Sequence, residues 1–214
     1  MPNRDYRQAR REYLTAELRE DQVLSDPFHQ FALWMDAAIE KIPYDPTGMS
    51  VSTVDANGQP HSRVVLLKSF DNRGFVFYTH YQSAKGFQID HNSKAALLFF
   101  WPELDRQIRI EGELQKIDPQ ESENYFHSRP HDSQVAAASS VQSTPVDSRQ
   151  TLEQRFSDLA AQYHDKEVPY PSHWGGYRLE AQQFEFWQGR ANRLHDRLCY
   201  YRADGEWKIQ RLAP

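Results

Sequence analysis

Cysteine is nearly missing from the chain. The one thiol in 214 residues, Cys199, allows no internal disulfide and no cysteine-based zinc site. Long apolar runs are missing too: the longest, Ala95 to Trp101, has seven residues, where a bilayer-crossing helix needs about 20. The segment from Met1 to Asp21 is dense with charge and lacks the apolar core of a signal peptide, so the expected location is the cytoplasm, away from membranes. There is no long basic run and the formal net charge is −5, which argues against sequence-independent binding of nucleic acid. Aliphatic residues are scarce. Leu, Ile, Val and Phe number 45, about 21% of the chain, just above the composition at which chains stay disordered. The phosphate-loop, dinucleotide-fingerprint, metalloprotease and nucleophile-elbow motifs are all absent.

What the chain does have is aromatic rings. Twelve Phe, eleven Tyr and five Trp each bury a large area and can compensate for the missing aliphatics. A charged, partly helical arm, mobile for want of an apolar stripe, is expected over residues 1–24, followed by a single domain over residues 25–214. Asp26 caps a helix with Pro27 at its first position. Phe28, Phe31, Met35, Ile39 and Ile42 form its packing face, and Pro43 and Pro46 end it. Strand patterns follow at Met49–Val54, His61–Phe70, Phe75–Thr79, Ala95–Trp101 and Arg106–Glu113, with turns at 55–58 and 71–74 and a short helix over Ser83–His91. Two helices, from Asp118 to about Ser128 and from Ser148 to Tyr163, precede a Pro-rich loop over Lys166–Gly176. Three closing strands are expected at Tyr177–Trp187, His195–Arg202 and Glu206–Leu212. This order predicts a mainly β protein, an antiparallel, Greek-key-like barrel with peripheral helices, and argues against a doubly wound nucleotide fold.

Several segments carry usable chemistry. If Arg193-Leu194-His195-Asp196-Arg197 is extended, Arg193, His195 and Arg197 share one face, either as a solvated edge strand or as a site for an anion. In Arg63-Val64-Val65-Leu66-Leu67-Lys68 the apolar centre reads as buried on both faces. Strand parity puts the two cations on opposite faces unless a bulge or strand end intervenes. Tyr78, Thr79 and Ser83-Ala84-Lys85 lead into a helix N-terminus, a natural phosphate site, though Tyr78 also suits a barrel interior and Lys85 a surface. Gln107 and Arg109 alternate with Ile108 and Ile110 and so face away from the apolar side. Tyr125, Arg129 and Ser133 are four apart, interrupted by Pro130. Gln142-Ser143 reads as loop polarity, and Trp187 as core or as a stacking platform. His127 and His131 flank Pro130, which spoils the helical geometry a shared metal would need, so no metal site is expected.

Together these segments resemble the pyridoxine/pyridoxamine 5′-phosphate oxidase family, FMN-dependent enzymes that make pyridoxal 5′-phosphate. The matching runs are R-R-E-Y (Arg10 to Tyr13), D-P-F-x-Q-F (Asp26 to Phe31), R-V-V-L-L-K (Arg63 to Lys68) and Y-T-x-Y-x-S-x-K (Tyr78 to Lys85). They continue with R-Q-I-R-I-E-G (Arg106 to Gly112), Y-F-x-S-R-P-x-D-S-Q (Tyr125 to Gln134), W-G-G (Trp174 to Gly176), E-F-W-Q-G-R-x-N-R-L-H-D-R (Glu185 to Arg197) and the ending R-L-A-P. They keep the family's order over nearly the whole chain, and the last long run is highly specific.

The resemblance implies a homodimeric FMN-binding split β-barrel with FMN held between subunits. It places Arg63, Val64, Val65, Leu66, Leu67, Lys68, Tyr78, Thr79, Lys85, Gln107, Gln142, Ser143, Trp187 and Arg197 at FMN. It places Lys68, Tyr125, Arg129 and Ser133 at the substrate phosphate, and Arg193 and His195 over the pyridine ring. Arg193, His195 and Arg197 form the implied catalytic set, and Arg10 and Tyr13 would help to close the site. The implied reaction passes a hydride from pyridoxine or pyridoxamine 5′-phosphate to FMN. Molecular oxygen is then reduced to hydrogen peroxide, and the amine substrate also yields ammonia. Two phosphates explain two basic sets, and hydride transfer needs stacking and orientation more than a nucleophile. The competing readings are a carrier of pyridoxal phosphate or FMN and a split-barrel flavin reductase with another substrate. Ala84 stands where the family often has Arg, which removes a cation from the expected FMN phosphate site and implies weaker FMN binding. Ala191 also departs from the family's usual residue, with no mechanism attached.

Overall fold

The computed structural model describes Glu12, Tyr13 and residues 16–214; Arg10, assigned above to substrate, lies outside the described residues. The elements are α1 (Pro27–Lys41), β1 (Gly48–Val54), β2 (Pro60–Leu66), β3 (Ser69–Asp71), β4 (Gly74–His80), α2 (Ala84–His91), β5 (Lys94–Trp101) and β6 (Arg106–Lys116). There follow α3 (Pro119–Ser128), α4 (His131–Ser139), α5 (Arg149–Gln162), β7 (Trp174–Gln188), β8 (Asp196–Ala203) and β9 (Glu206–Arg211). The nine strands join in the order β2-β1-β5-β6-β7-β4-β3, with β8 paired to β7 and β9 to β8. The β3–β4, β4–β7, β7–β8 and β8–β9 pairings are antiparallel. The described chain divides into two compact units, one of residues 1–49, 97–110 and 182–214 and the other of residues 50–96 and 111–181.

In the first unit, α1 begins where the sequence predicts. The Asp26 carboxylate accepts the N–H groups of Phe28 and His29 at 2.8 and 3.1 Å, and Pro27 occupies the first turn. Its buried stripe is Phe28, Phe31, Trp34, Met35 and Ala38, while Ile39 is 57% exposed. The expected stripe is therefore displaced at its C-terminal end: steps of three and four from Phe28 reach Ala38, and Ile39 falls one position past the contact line. Edge-on aromatic contacts join this face to the strands, Phe28 to Phe184, Phe31 to Phe99 and Trp34 to Phe186 at 5.1–5.2 Å. Rings thus do the packing that the scarce aliphatics cannot.

In the second unit β4 is buried along nearly its whole length, and Thr79 pairs with Gly175 of β7. That pairing draws Trp174, Gly175 and Gly176 out of the expected loop into the strand. A separate core gathers Phe126, Val135, Ala137, Val168 and Trp174 beneath α3, α4 and α5. Helix α4 is absent from the sequence reading, which took Pro130 only as an interruption. Pro130 ends α3 and sits at the N-terminal cap of α4, where a missing N–H costs nothing.

The expected strand His61–Phe70 is two strands, broken at Leu67-Lys68, where the Lys68 N–H turns to the Val76 carbonyl at 2.9 Å. The strand therefore ends between the two cations, with Arg63 half-buried on β2 and Lys68 exposed after it. Burial of Val64 to Leu67 on both faces does not hold within the chain. Because β2 ends the sheet order, Val64 is 74% exposed and only Leu67 is buried. Arg193, His195 and Arg197 also do not share an extended face. Residues 191–193 form a 3-10 turn, Asn192 and Arg193 take left-handed φ of 56° and 60°, and β8 starts only at Asp196.

Gly112 of β6 lies so close to β7 that a Cβ would fall on the Glu180 carbonyl. Gly112→Ala is expected to cost about 1–3 kcal/mol by forcing the strands apart, measured as a lower urea midpoint. An unchanged midpoint would contradict this packing.

Candidate active site

The second unit builds a cradle of cations around uncharged acceptors. Arg63 donates through Nη1 to Thr53 Oγ1 at 2.7 Å and to the Val51 carbonyl at 3.0 Å, and through Nη2 to Gln88 Oε1 at 2.9 Å. Lys85 Nζ donates to Gln142 Oε1 at 2.6 Å, Thr79 Oγ1 at 3.0 Å and Ser83 Oγ at 3.2 Å. Thr79 also donates to Gln142 at 3.1 Å. Ser83, fully buried, caps α2 by accepting the Gly86 N–H, which fixes Lys85 in the first turn. The acceptors that meet these two cations carry no charge. Burial and then the neighbouring Arg63 lower the Lys85 pKa to about 8, and burial lowers that of Arg63. Two like charges, half-buried with no counter-ion among the described residues, make a place suited to an anion.

A second cation stands on an aromatic stack in the same unit. Tyr78 and Tyr125 stack at 3.9 Å, Tyr78 and Trp174 at 5.3 Å, and the Arg129 guanidinium lies 4.7 Å above the Trp174 ring. Arg129 Nη2 donates to the Ser133 carbonyl at 2.8 Å across the α3–α4 junction, while Nη1 is buried without a hydrogen-bond partner among the described residues. A buried guanidinium nitrogen in that state is open to an acceptor that the described residues do not supply. Burial raises the Tyr78 pKa to about 12, so its phenol stays a donor.

The first unit holds an aromatic and basic cluster of its own. Trp187, half-buried, meets Tyr13 edge-on at 5.6 Å and His195 at 4.8 Å, and Tyr13 meets His195 at 5.3 Å. The close approach of Tyr13 depends on Gly189, where a Cβ would strike the tyrosine ring. His195 Nδ1 accepts the Arg190 N–H at 3.0 Å, so the neutral ring keeps its proton on Nε2. Burial first, and then Arg193, lowers the His195 pKa. Arg197 donates to Glu185 through Nε and Nη2 at 2.8 and 3.1 Å, and to the Ala213 carbonyl at 2.7 Å.

The structure therefore brings together Arg63, Thr79 and Lys85 with Gln142. It also joins Tyr78 and Tyr125 with Arg129 and Ser133, and Tyr13 with Trp187 and His195. Lys68, Ser143 and Arg193 are exposed, and Gln107 is half-buried on β6. Ser143 and Arg193 both take left-handed φ, the kind of strain that collects at ligand sites. Sequence reasoning missed Thr53 and Gln88, which hold Arg63, Trp174, which carries Arg129, and Glu185, which holds Arg197. Only Glu185 left a signal: in E-F-W it shares strand parity with Trp187.

The second unit thus holds two cation sets that meet no carboxylate among the described residues, and the first unit a cluster of rings, features suited to anionic and aromatic ligands. Residues 35–163 match the model of the family described as pyridoxamine 5′-phosphate oxidase, and residues 174–214 match that of the pyridoxine 5′-phosphate oxidase C-terminal dimerisation region. The chain belongs to the pyridoxamine 5′-phosphate oxidase family, and its fold is that family's FMN-binding split β-barrel. It is 60% identical over 217 residues, covering all of both chains, to pyridoxine/pyridoxamine 5′-phosphate oxidase 1 of Hydrogenovibrio crunogenus. It is 50% identical to the pyridoxine/pyridoxamine 5′-phosphate oxidase of Microcystis aeruginosa, with 96% of each chain covered. Among solved structures, PhzG from Burkholderia lata, in complex with tetrahydrophenazine-1-carboxylic acid, superposes with a TM-score of 0.88 at 29% identity, covering 95% of this chain and 100% of that one.

FMN fits the residues present: its phosphate dianion would supply the counter-charge that the described residues do not give Arg63 and Lys85. A bound dianion raises the pKa of Lys85 above its free value of about 8. FMN affinity is thus full below pH 8 and falls as pH rises through it. Fluorescence titration of the apoprotein between pH 7 and 9.5 should show this fall, and Lys85→Met should flatten the profile. A wild-type profile already flat would contradict the assignment.

Proposed function

We propose that this chain oxidises pyridoxine 5′-phosphate and pyridoxamine 5′-phosphate to pyridoxal 5′-phosphate, as a homodimer with FMN between its subunits. Molecular oxygen is the final acceptor and hydrogen peroxide the by-product, with ammonia released from the amine. The observation that carries the reading is the presence of two separate cation sets, Arg63 with Lys85 and Arg129, which match one phosphate on FMN and one on substrate. The full-length relatives carrying this activity in their names support it.

Bound FMN would supply the hydride acceptor and the path of the electron pair to oxygen. Arg63, Lys85 and Thr79 hold the FMN phosphate, Gln142 orients the lysine, and the edge backbone from Val64 to Leu67 lies along the cofactor. Arg129, Tyr125 and Ser133 hold the substrate phosphate, with Lys68 between the two ligands. His195 presents its Nε2–H to the substrate ring, and Arg197 offers positive charge to the cofactor ring. Tyr13 covers Trp187 and His195, keeping water from the reacting face. Nothing in these roles requires a nucleophile, in keeping with the missing triads. Among the described residues no helix is long and apolar enough to cross a membrane. The reaction is assigned to the cytoplasm.

The purified protein should be yellow, and pyridoxamine 5′-phosphate should give pyridoxal 5′-phosphate with peroxide. A colourless protein that cannot be reconstituted with FMN would sink the assignment. Bound flavin with no turnover of either vitamin phosphate would favour a different reductase substrate, and tight product binding without peroxide would favour a carrier. His195 adds a pH signature. Protonating Nδ1 ends its bond from the Arg190 N–H, so kcat/KM should fall on the acid side only below the ordinary histidine value of about 6.5. An acid limb that persists unchanged in His195→Asn would refute this role.

A further inference from the structure

Strands β7 and β8 pair so that Trp187 lies opposite Arg197 and Glu185 opposite Cys199. Alternation then places Glu185, Trp187 and Arg197 on one face, while Phe184, Phe186, Leu198 and Tyr200 fill the other, all fully buried. Glu185 is thus a carboxylate on the same side of the strand pair as Trp187 and Arg197, with its side chain only 4% exposed. Burying such a charge is costly unless it is fully paired. Its Oε1 accepts Arg197 Nε, and its Oε2 accepts both Arg197 Nη2 and, at 3.2 Å, Arg109 Nη1.

The consequence falls on Arg197. Of its five N–H groups, three are committed, two to Glu185 and one to the Ala213 carbonyl. Side-on pairing with a buried carboxylate fixes the plane of the guanidinium, and the Ala213 contact fixes its far edge. Two N–H groups remain, one on each terminal nitrogen, pointing where the fixed plane allows. A long side chain that would otherwise sample many rotamers is held in one.

We propose that Glu185 is a positioning residue, which acts on the cofactor by locking the orientation of Arg197. The proposal rests on the reading that Arg197 meets FMN. It gives Glu185 a part in cofactor binding and turnover although it touches no ligand. Misplacing a catalytic group by about an ångström can cost up to about a hundredfold in rate.

The test uses FMN-loaded and FMN-stripped forms of wild type, Glu185→Gln, Arg197→Leu and the double variant. Glu185→Gln should weaken FMN binding about tenfold by fluorescence titration and lower kcat about tenfold, with KM for pyridoxamine 5′-phosphate unchanged within about twofold. In the Arg197→Leu background the same substitution should add no further loss of FMN affinity, because its route to the cofactor is gone. Glu185→Asp keeps the charge but cannot span both guanidinium nitrogens. It should lose part of both quantities, so the test survives if the glutamine variant folds poorly. Wild-type FMN affinity and kcat in both variants, even with a lower melting temperature, would overturn the proposal by showing a structural ion pair only. Losses that add fully to those of Arg197→Leu would overturn it as well. A wild type that fails to take up FMN overturns the underlying reading and this inference together.

Discussion

Two half-buried cations without a counter-charge, Arg63 and Lys85, are the constraint around which the second unit is organised. Isolated, such a pair opposes folding, and the structure offsets that cost with dipoles. Thr53, Thr79, Ser83, Gln88 and Gln142 surround the pair with oxygen atoms drawn from β1, β4, α2 and the loop after α4. These groups soften the cost without cancelling it: burial first, and then the neighbouring Arg63, still lowers the pKa of Lys85. A phosphate dianion completes the arrangement, and any ligand bringing one stabilises the folded state by mass action.

Strand β7 connects this cradle to the rest of the chemistry along the chain. Its fifteen residues begin with Trp174, which carries Arg129, and end beyond Glu185 and Trp187. Its early residues pair with β4 and its later ones with β8, so one continuous strand fixes residues from three of the family's motifs. In the first unit, Asp196 accepts the Leu18 N–H at 3.0 Å, and Arg211 binds Glu20, Asp196 and the Leu18 carbonyl. Hydrogen bonds and ion pairs thus hold Leu18 and Glu20, alongside burial of the Leu18 side chain.

Much of this was legible in the residues. The α1 cap, the turns and most strands follow from Asp26-Pro27, from the Gly-bearing turns and from period-two alternation. What escaped did so for physical reasons. Pro130 marks a helix start as readily as a break, and only the packing of Val135 and Ala137 beside Phe126 decides between them. Val64 and Leu66 have the composition of a strand buried on both faces, but exposure depends on position in the sheet order, which local pattern does not encode. The bend at Asn192 and Arg193 carries no glycine to announce its left-handed backbone. Of the site, the cations and rings were recognised by motif. Thr53 and Gln88 were not, since uncharged residues that aim a cation look like any others until their distances are known.

The central claim is that the cradle is built for a phosphate rather than for a flavin ring alone. Comparing the dissociation constants of FMN and riboflavin for the stripped protein at pH 7 tests it most directly. Riboflavin has no phosphate to accept the two charge-assisted hydrogen bonds from Arg63 and Lys85, so it should bind about a hundredfold or more weaker than FMN. Lys85→Met should reduce that difference to about tenfold, because the Arg63 bond remains. Equal affinity for the two flavins in the wild type would contradict the account.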